Sequence, residues 1–332
     1  MPEPEVPETP GDPGAAAPGG PAAPPALGDV AARLATRAEV AKLAHELDLA
    51  PDELAFLADE PADALRALRT DVATSLAARH EARLRRVAGL AGVLPPGLAA
   101  RAAQQAGPVV GARVASALDP DDAVRLAGRL PLDFLAELTL SLDTAGVERV
   151  VPGLDPALVT AVGRRLLEEG EHLVLGRLVS AVPPEAALAV VEHADPAALL
   201  QVALLVDDRS VLPGLVRELP VDALRAVLAA CHDHGTETDA LTLLTALDAP
   251  GRGRVLTCLA SLPAEHRAGF LTVAAELGAW SEVLPGLAHV DDAALGTLLE
   301  PPAGPAALAG VSAAARAVGD TATAARLDAV AP

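Results

Sequence analysis

The residues best suited to chemistry in this sequence form a cluster of sulfur and nitrogen ligands in its second half. Cys231, His232 and His234 lie within four positions, and Cys258 follows one predicted helical hairpin later. Thiolate and imidazole groups bind zinc, so these four side chains would make a chemically sensible site. The alternative is structural, with Cys231 a small apolar residue at a helix end and the histidines in a polar loop. The ligand spacing differs from that of common zinc sites and favours the structural interpretation.

A second candidate site consists of aspartate pairs, of which Asp121 and Asp122 are the first. Carboxylate oxygens bind Mg²⁺ and Ca²⁺, so pairs brought together from several loops would make a weak cation site. Each pair also lies beside a predicted helix start or loop, where negative charge complements the helix dipole. The pattern favours this capping role over cation binding.

Common catalytic and nucleotide-binding motifs are missing from the sequence. It contains no Gly-x-Ser-x-Gly, no phosphate-binding Gly-x4-Gly-Lys-Ser/Thr and no His-Glu-x2-His. These motifs place nucleophiles, phosphate cradles and zinc ligands at fixed spacings. We therefore expect a protein that is not an enzyme, with no catalytic residues and no cofactor.

The elements that would position these residues are short helices, and residues 118–131 show how each is built. Asp119 is placed to cap a helix, and Pro120 fits the first helical position, where no N–H is needed. Pro131 cannot continue that helix and opens the next one. The apolar residues between the two prolines recur at helical spacing, as Ala123, Leu126, Ala127 and Leu130.

This unit recurs along the chain. A Val-x-Pro-Gly-Leu signature appears at residues 150–154, 211–215 and 283–287, and the matching positions Leu118, Val182 and Leu247 are 64 and 65 residues apart. Helices of about ten residues are marginal alone in water, so they must pack on neighbours. The pattern predicts an all-α fold, an α-solenoid or superhelix of short helical hairpins of the HEAT-like kind.

Composition divides the chain into four predicted segments. Residues 1–27 form a disordered Pro/Ala/Gly-rich tail, and residues 28–92 an N-terminal helical section. Residues 93–300 form the repeat array of about three units, and residues 301–332 the C-terminal capping helices. The N-terminal section ends in basic residues, which either complement a helix dipole or dock an acidic partner or lipid surface: Arg79, His80, Arg83, Arg85 and Arg86.

The overall charge limits the partners. The formal net charge is −20, so nucleic acid is not expected as a partner. Two cysteines and no visible signal peptide indicate a reducing cytoplasm. Lys42 is the single lysine among 25 basic residues, and aromatic residues make up 1% of the chain. The core must therefore consist of Leu, Val and Ala.

The chain resembles the N-terminal helical domain of MgtE-type magnesium transporters. The resemblance rests on Leu118-Asp119-Pro120-Asp121-Asp122-Ala123 followed by Leu130-Pro131, and it extends over about residues 94–299. It implies a superhelix of short helices. In that family, acidic residues of the domain help to bind magnesium against a regulatory domain, but neither that domain nor the membrane helices are visible here. The resemblance therefore implies the fold and not transport.

These observations predict a non-enzymatic helical-repeat scaffold that binds another protein. One alternative is a protein associated with a lipid or hydrophobic surface, indicated by the 51% hydrophobic content and the basic helix end. The other alternative is a regulatory protein that responds to divalent cations through its aspartate pairs. The oligomeric state does not follow from the sequence.

Overall fold

A computed structural model describes residues 26–78, 89, 94–142 and 144–330, and within these ranges it contains α- and 3-10 helices and no β-strand. The all-α prediction is confirmed. The helices are α1 (Leu27–Leu47), α2 (Ala62–Ala78), α3 (Pro96–Ala106), α4 (Pro108–Ala117), α5 (Pro120–Ala127), α6 (Leu132–Leu140), α7 (Thr144–Val150), α8 (Pro156–Glu168), α9 (His172–Leu178), α10 (Pro184–Val191), α11 (Pro196–Leu204), α12 (Leu212–Glu218), α13 (Val221–Asp233), α14 (Glu237–Leu244), α15 (Ala249–Ala260), α16 (Ala264–Glu276), α17 (Trp280–Leu287), α18 (Asp292–Leu298), α19 (Gly304–Ala317) and α20 (Thr321–Val330). Short 3-10 helices occupy Pro51–Leu57, Val151–Gly153, Val179–Ala181 and Arg209–Val211.

Aspartate caps start many of these helices, as the sequence predicts. Asp119 directly precedes Pro120, the first residue of α5, and its carboxylate accepts a hydrogen bond from the N–H of Asp121 at 3.1 Å. Asp155 and Asp195 cap α8 and α11 in the same way, each followed by a proline at the first helical position. The Asp-Pro signature specifies a helix start through local interactions. The carboxylate accepts from a free backbone N–H, and the proline has no N–H that requires a partner.

The Val-x-Pro-Gly-Leu signature, in contrast, occurs in three different conformations. Its first copy contains the 3-10 helix Val151–Gly153, and its second copy supplies the first turn of α12. In the third copy Pro285 lies inside α17. A proline fits a 3-10 turn or a first helical turn without losing a hydrogen bond, whereas an interior proline loses one. The same five residues therefore do not determine one local structure.

The N-terminal section begins with α1. This helix starts at Leu27, one residue before the predicted start of the section at residue 28, and Asp29 lies in its first turn. The start is set by tertiary packing, since Leu27 is buried and its N–H lies 3.3 Å from the carbonyl of Leu277. Helix α2 is described as far as Ala78, and residues 1–25 of the predicted tail over residues 1–27 lie outside the described residues. The basic positions also lie outside them: Arg79, His80, Arg83, Arg85 and Arg86.

Packing is sequential in the main helical region, which we define as residues 94–330. Most helices from α3 onwards pack against the helix two positions further along, and some adjacent pairs, such as α3 with α4 and α19 with α20, are also in contact. The exception to this order is the N-terminal section, which comprises α1, the 3-10 helix Pro51–Leu57 and α2. Helix α1 packs against α2 and also against α11 and α14, far away in the sequence. The beginning of the chain therefore returns to the middle of the main region.

The buried core is unevenly distributed. One large hydrophobic cluster runs from Leu200 to Leu327 and includes Leu27. The first half of the main region has smaller separate clusters, one around Val147 and Leu178 and another around Leu118. The buried apolar residues of the first half are therefore divided among several small groups, whereas those of the second half form one.

None of the helices in the described part of the chain has the length and apolar character needed to cross a membrane.

Candidate functional site

The first half of the main region encloses an apolar pocket with a cavity volume of about 310 Å³. Its described lining extends from Leu94 on the approach to α3 to Val182 before α10. Every lining residue is apolar except Thr139, whose hydroxyl already donates to the Leu135 carbonyl at 2.7 Å. Seven alanines in the lining leave the space that larger side chains would fill: Ala99, Ala102, Ala103, Ala106, Ala115, Ala123 and Ala127.

A second apolar pocket of about 250 Å³ follows directly along the chain. Its described lining runs from Val159 to Val255 and contains no polar side chain. The two pockets share five lining residues and are therefore neighbours across a common wall: Val159, Gly163, Leu175, Leu178 and Val182. No aromatic side chain lies among the described lining residues of either pocket.

Both pockets are partly open, so their apolar walls are left either empty or in contact with water. Burying an apolar wall of this kind against an apolar group is favourable. Water is a poor filler, because a water molecule needs polar partners that an apolar wall does not offer. The two pockets are therefore the natural candidates for a bound apolar group.

A buried ion-pair network joins the N-terminal section to the main region. Lys42 Nζ lies 3.2 Å from Glu39 Oε1 and 2.5 Å from Asp207 Oδ1. Arg69 lies within 3.2 Å of the same two carboxylates. Lys42 and Glu39 are each 1% exposed. These contacts connect α1 and α2 to Asp207, which follows the end of α11. Side chains of α11 line the second pocket.

Glu46 extends the network to a further helix. Its carboxylate lies 3.2 Å from Arg177 on α9 and 3.4 Å from Arg69 on α2. Burial alone would lower the pKa of Arg69, but the neighbouring carboxylates outweigh it and raise that pKa. Lys42, Arg69 and Arg177 are thus each paired with a buried or half-buried carboxylate.

Three of the cysteine and histidine candidates lie at or just beyond the end of α13, and the fourth, Cys258, lies in α15. Cys231 and Cys258 are free, buried members of the large hydrophobic cluster. Burial raises the pKa of the Cys231 thiol to about 11, which disfavours the thiolate that zinc requires. His232 Nδ1 lies 2.8 Å from Glu237 Oε1, and His234 is exposed beyond the helix end.

The aspartate candidates act at a helix start. Asp121 is exposed in the first turn of α5, and Asp122 forms an ion pair with Arg125 on the same helix. Across the described ranges there is no group of three or more His, Cys, Asp or Glu side chains that could hold a metal ion. Zinc binding by the Cys/His cluster and cation binding by the aspartates stay predictions.

Sequence reasoning did not identify the network or the pockets as sites. The sequence feature that belongs to the network is Lys42, the single lysine. It lies on α1, and its long side chain reaches the carboxylate of Asp207. The signal for the pockets was the excess of alanine with almost no aromatic residue. Neither feature indicates which residues lie beside it in the fold. Lys42 and Asp207, for example, are 165 positions apart in the sequence.

Together these features define an all-α protein with two adjoining apolar pockets and a buried ion-pair network between its N-terminal section and its main region. Comparisons of the chain with protein-family models, with curated proteins and with solved structures give no match.

Proposed function

We propose that this protein is a non-enzymatic α-solenoid scaffold that binds another protein. The sequential packing of the main region supports the solenoid, because each helix finds its apolar neighbour one or two positions along the chain. The resemblance to the helical domain of MgtE-type transporters, seen at residues 118–131, supports the same proposal. A solenoid of this kind leaves long lateral surfaces free for a partner.

The observation that carries the binding role is an exposed apolar surface at the start of the main region. Leu98 is 54% exposed on α3 and Val109 is 53% exposed on α4. Three further large apolar side chains in this region are also exposed: Leu94, Val110 and Leu132. We call these five residues the α3–α6 surface. Concentrations of exposed apolar residues on an otherwise charged protein mark interaction sites.

The partner that best fits this surface has an apolar patch bordered by basic residues. The chain carries a net charge of −20, so basic residues on the partner would speed and orient association. Leu and Val side chains supply the apolar contact, and the net negative charge of the chain supplies the long-range attraction. An acidic partner or a nucleic acid would be repelled.

The experiment is an affinity purification from the native cell with full-length protein in four forms. They are wild type, Leu98→Glu, Val109→Glu and the control Val318→Glu, which changes a valine that is 66% exposed in the C-terminal part of the chain. We expect wild type and Val318→Glu to enrich the same protein. With the purified partner, the two surface variants should bind about tenfold or more weakly, because a charge enters an apolar contact.

An enriched set that is identical for all four forms would overturn the proposal. A flotation assay with neutral and anionic vesicles tests the lipid-surface alternative in parallel. If wild type floats, Leu98→Glu does not, and no protein partner depends on the surface, the lipid interpretation replaces the scaffold. A role in sensing divalent cations is the remaining alternative, and titration with millimolar Mg²⁺ that releases no heat would remove it.

We further propose a cytoplasmic location. Cys231 and Cys258 are free thiols in the structure, and free buried thiols suit a reducing compartment.

A further inference from the structure

We propose that the two apolar pockets bind an unbranched alkyl chain, such as the tail of a fatty acid or a fatty alcohol. This is a second binding activity beside that of the α3–α6 surface, two of whose residues, Leu94 and Val110, also line the first pocket. The lining chemistry excludes most other ligands. No free donor or acceptor side chain lines either pocket among the described residues, because the hydroxyl of Thr139 is already paired.

The lining favours a saturated chain over an aromatic ring system. The described walls consist of Leu, Val, Ala and Gly with the single threonine, and no aromatic face is available for stacking. A polar or charged ligand would lose its hydration and gain no hydrogen bond in return. An alkyl chain has no hydrogen bonds to water to lose, and it fills a narrow aliphatic space by van der Waals contact.

The volumes determine the length of the chain. An apolar cavity of about 150 Å³ holds benzene, so 310 Å³ corresponds to about twelve carbon atoms and 250 Å³ to about ten. The wall shared by the pockets includes Gly163, and the space where its side chain would stand is taken by Val190. Two chains of about ten to twelve carbons, one in each pocket, would fill the space.

The second pocket is braced from outside by the N-terminal section. Helix α1 packs on α11 and α14, and both of these helices supply lining residues. Lys42 and Arg69 bind Asp207, the residue directly after the lining residue Val206. The second pocket therefore has a fixed outer wall.

The test is calorimetric titration of delipidated full-length protein with n-alkanols of six to sixteen carbons, below their solubility limits. We expect affinity to rise about fourfold per methylene group until the pocket is full. Dodecanol and dodecanoate then form a second comparison. Binding of either supports the alkyl site, and the tighter of the two identifies the head group of the natural ligand. Organic extraction of protein purified without delipidation, followed by mass spectrometry, should recover the same chain type.

Pocket-filling variants show where the chain lies. Ala103→Phe fills part of the first pocket and Ala187→Phe part of the second, and each should weaken dodecanol binding or shorten the longest chain accepted. Ala157→Phe is the control, because Ala157 is exposed on α8 and lines neither pocket. Unfolding curves show whether each variant folds. If one of the two filling variants does not fold, the other still tests the proposal.

The proposal is wrong if no alkanol binds, if affinity is independent of chain length, or if both filling variants bind as well as the control. The first outcome would also follow if a protein segment or a second copy of this chain filled the pockets. Loss of alkanol binding in Ala103→Phe with unchanged partner binding would separate this activity from that of the α3–α6 surface.

Discussion

At the scale of single residues, the unusual feature is a group of charges removed from water. Lys42 and Glu39 are almost fully buried, and both lie in contact with charges on other elements. Burying an ion pair costs desolvation energy, so such a pair adds little stability over an apolar pair. Removing one partner is different, because the remaining charge is left buried and unmatched. The network therefore determines where the N-terminal section docks more than how stable the protein is.

Asp207→Asn tests this network. The change keeps the shape of the side chain and removes the charge that Lys42 and Arg69 share. We expect the free energy of unfolding to fall by about 2–4 kcal/mol, because two buried cations lose their common anion. Urea unfolding followed by circular dichroism measures the change.

The neighbouring residue supplies the control. Asp208 is exposed and caps the 3-10 helix at Arg209–Val211, accepting from the Ser210 N–H at 2.9 Å. Hydrogen bonds from Ser210 lower the pKa of Asp208, but asparagine caps a helix nearly as well as aspartate. Asp208→Asn should therefore change the free energy of unfolding by less than about 0.5 kcal/mol. Equal effects of the two substitutions would contradict the assignment of the network.

At the scale of the elements, the close approach of short helices depends on small residues. A Cβ atom added at Gly176 of α9 would lie 2.7 Å from the backbone carbonyl carbon of Leu205, which ends α11. Real Cβ atoms do not come so near to backbone. Because backbone cannot rotate away as a side chain can, the two helices would have to separate.

Gly176→Ala should therefore destabilise the protein by about 1–3 kcal/mol. The strain acts on the contact between α9 and α11, which form part of the walls of the pockets. Thermal and urea unfolding of the full chain both measure this loss.

Gly214→Ala is the matched control, with the opposite sign. Gly214 lies inside α12, is exposed, and has open space where a Cβ would stand. Alanine has the higher helix propensity, so this variant should gain about 0.5–1 kcal/mol. If both substitutions stabilise the protein, the two helices are not in the close contact described.

At the scale of the whole molecule, the N-terminal section and the main region form one structure. Leu27, the first residue of α1, is 3% exposed and belongs to the large hydrophobic cluster of the second half. Helix α1 thus contributes to a core that is more than 170 positions away along the chain, starting at Leu200. Non-local packing of this kind makes local opening costly and couples the section to global unfolding.

Leu27→Ala tests that coupling. We expect a loss of about 2–5 kcal/mol and a single cooperative unfolding transition, because a buried leucine leaves a cavity in the main core. Leu47→Ala, on the same helix but 37% exposed, should lose less than about 1 kcal/mol. An early separate transition of the N-terminal section, with the main transition unchanged, would show that the two parts unfold independently.

The sequence by itself determined the Asp-Pro helix starts of this protein and its all-α class. An Asp-Pro pair such as Asp119-Pro120 specifies a helix start because the hydrogen bond and the fixed backbone angle both lie within three residues. The lack of aromatic and β-branched patterning likewise predicted an all-α chain. These features depend on neighbours along the chain, so the sequence displays them directly.

The tertiary structure alone decided the position of the N-terminal section and the existence of the pockets. Nothing near Lys42 in the sequence indicates Asp207, since their contact depends on how all the intervening helices stack. The same holds for the cavity beside Ala103, because an alanine-rich helix surface is compatible with close packing or with empty space. The spacing between helices distinguishes these outcomes, and that spacing is a property of the folded chain.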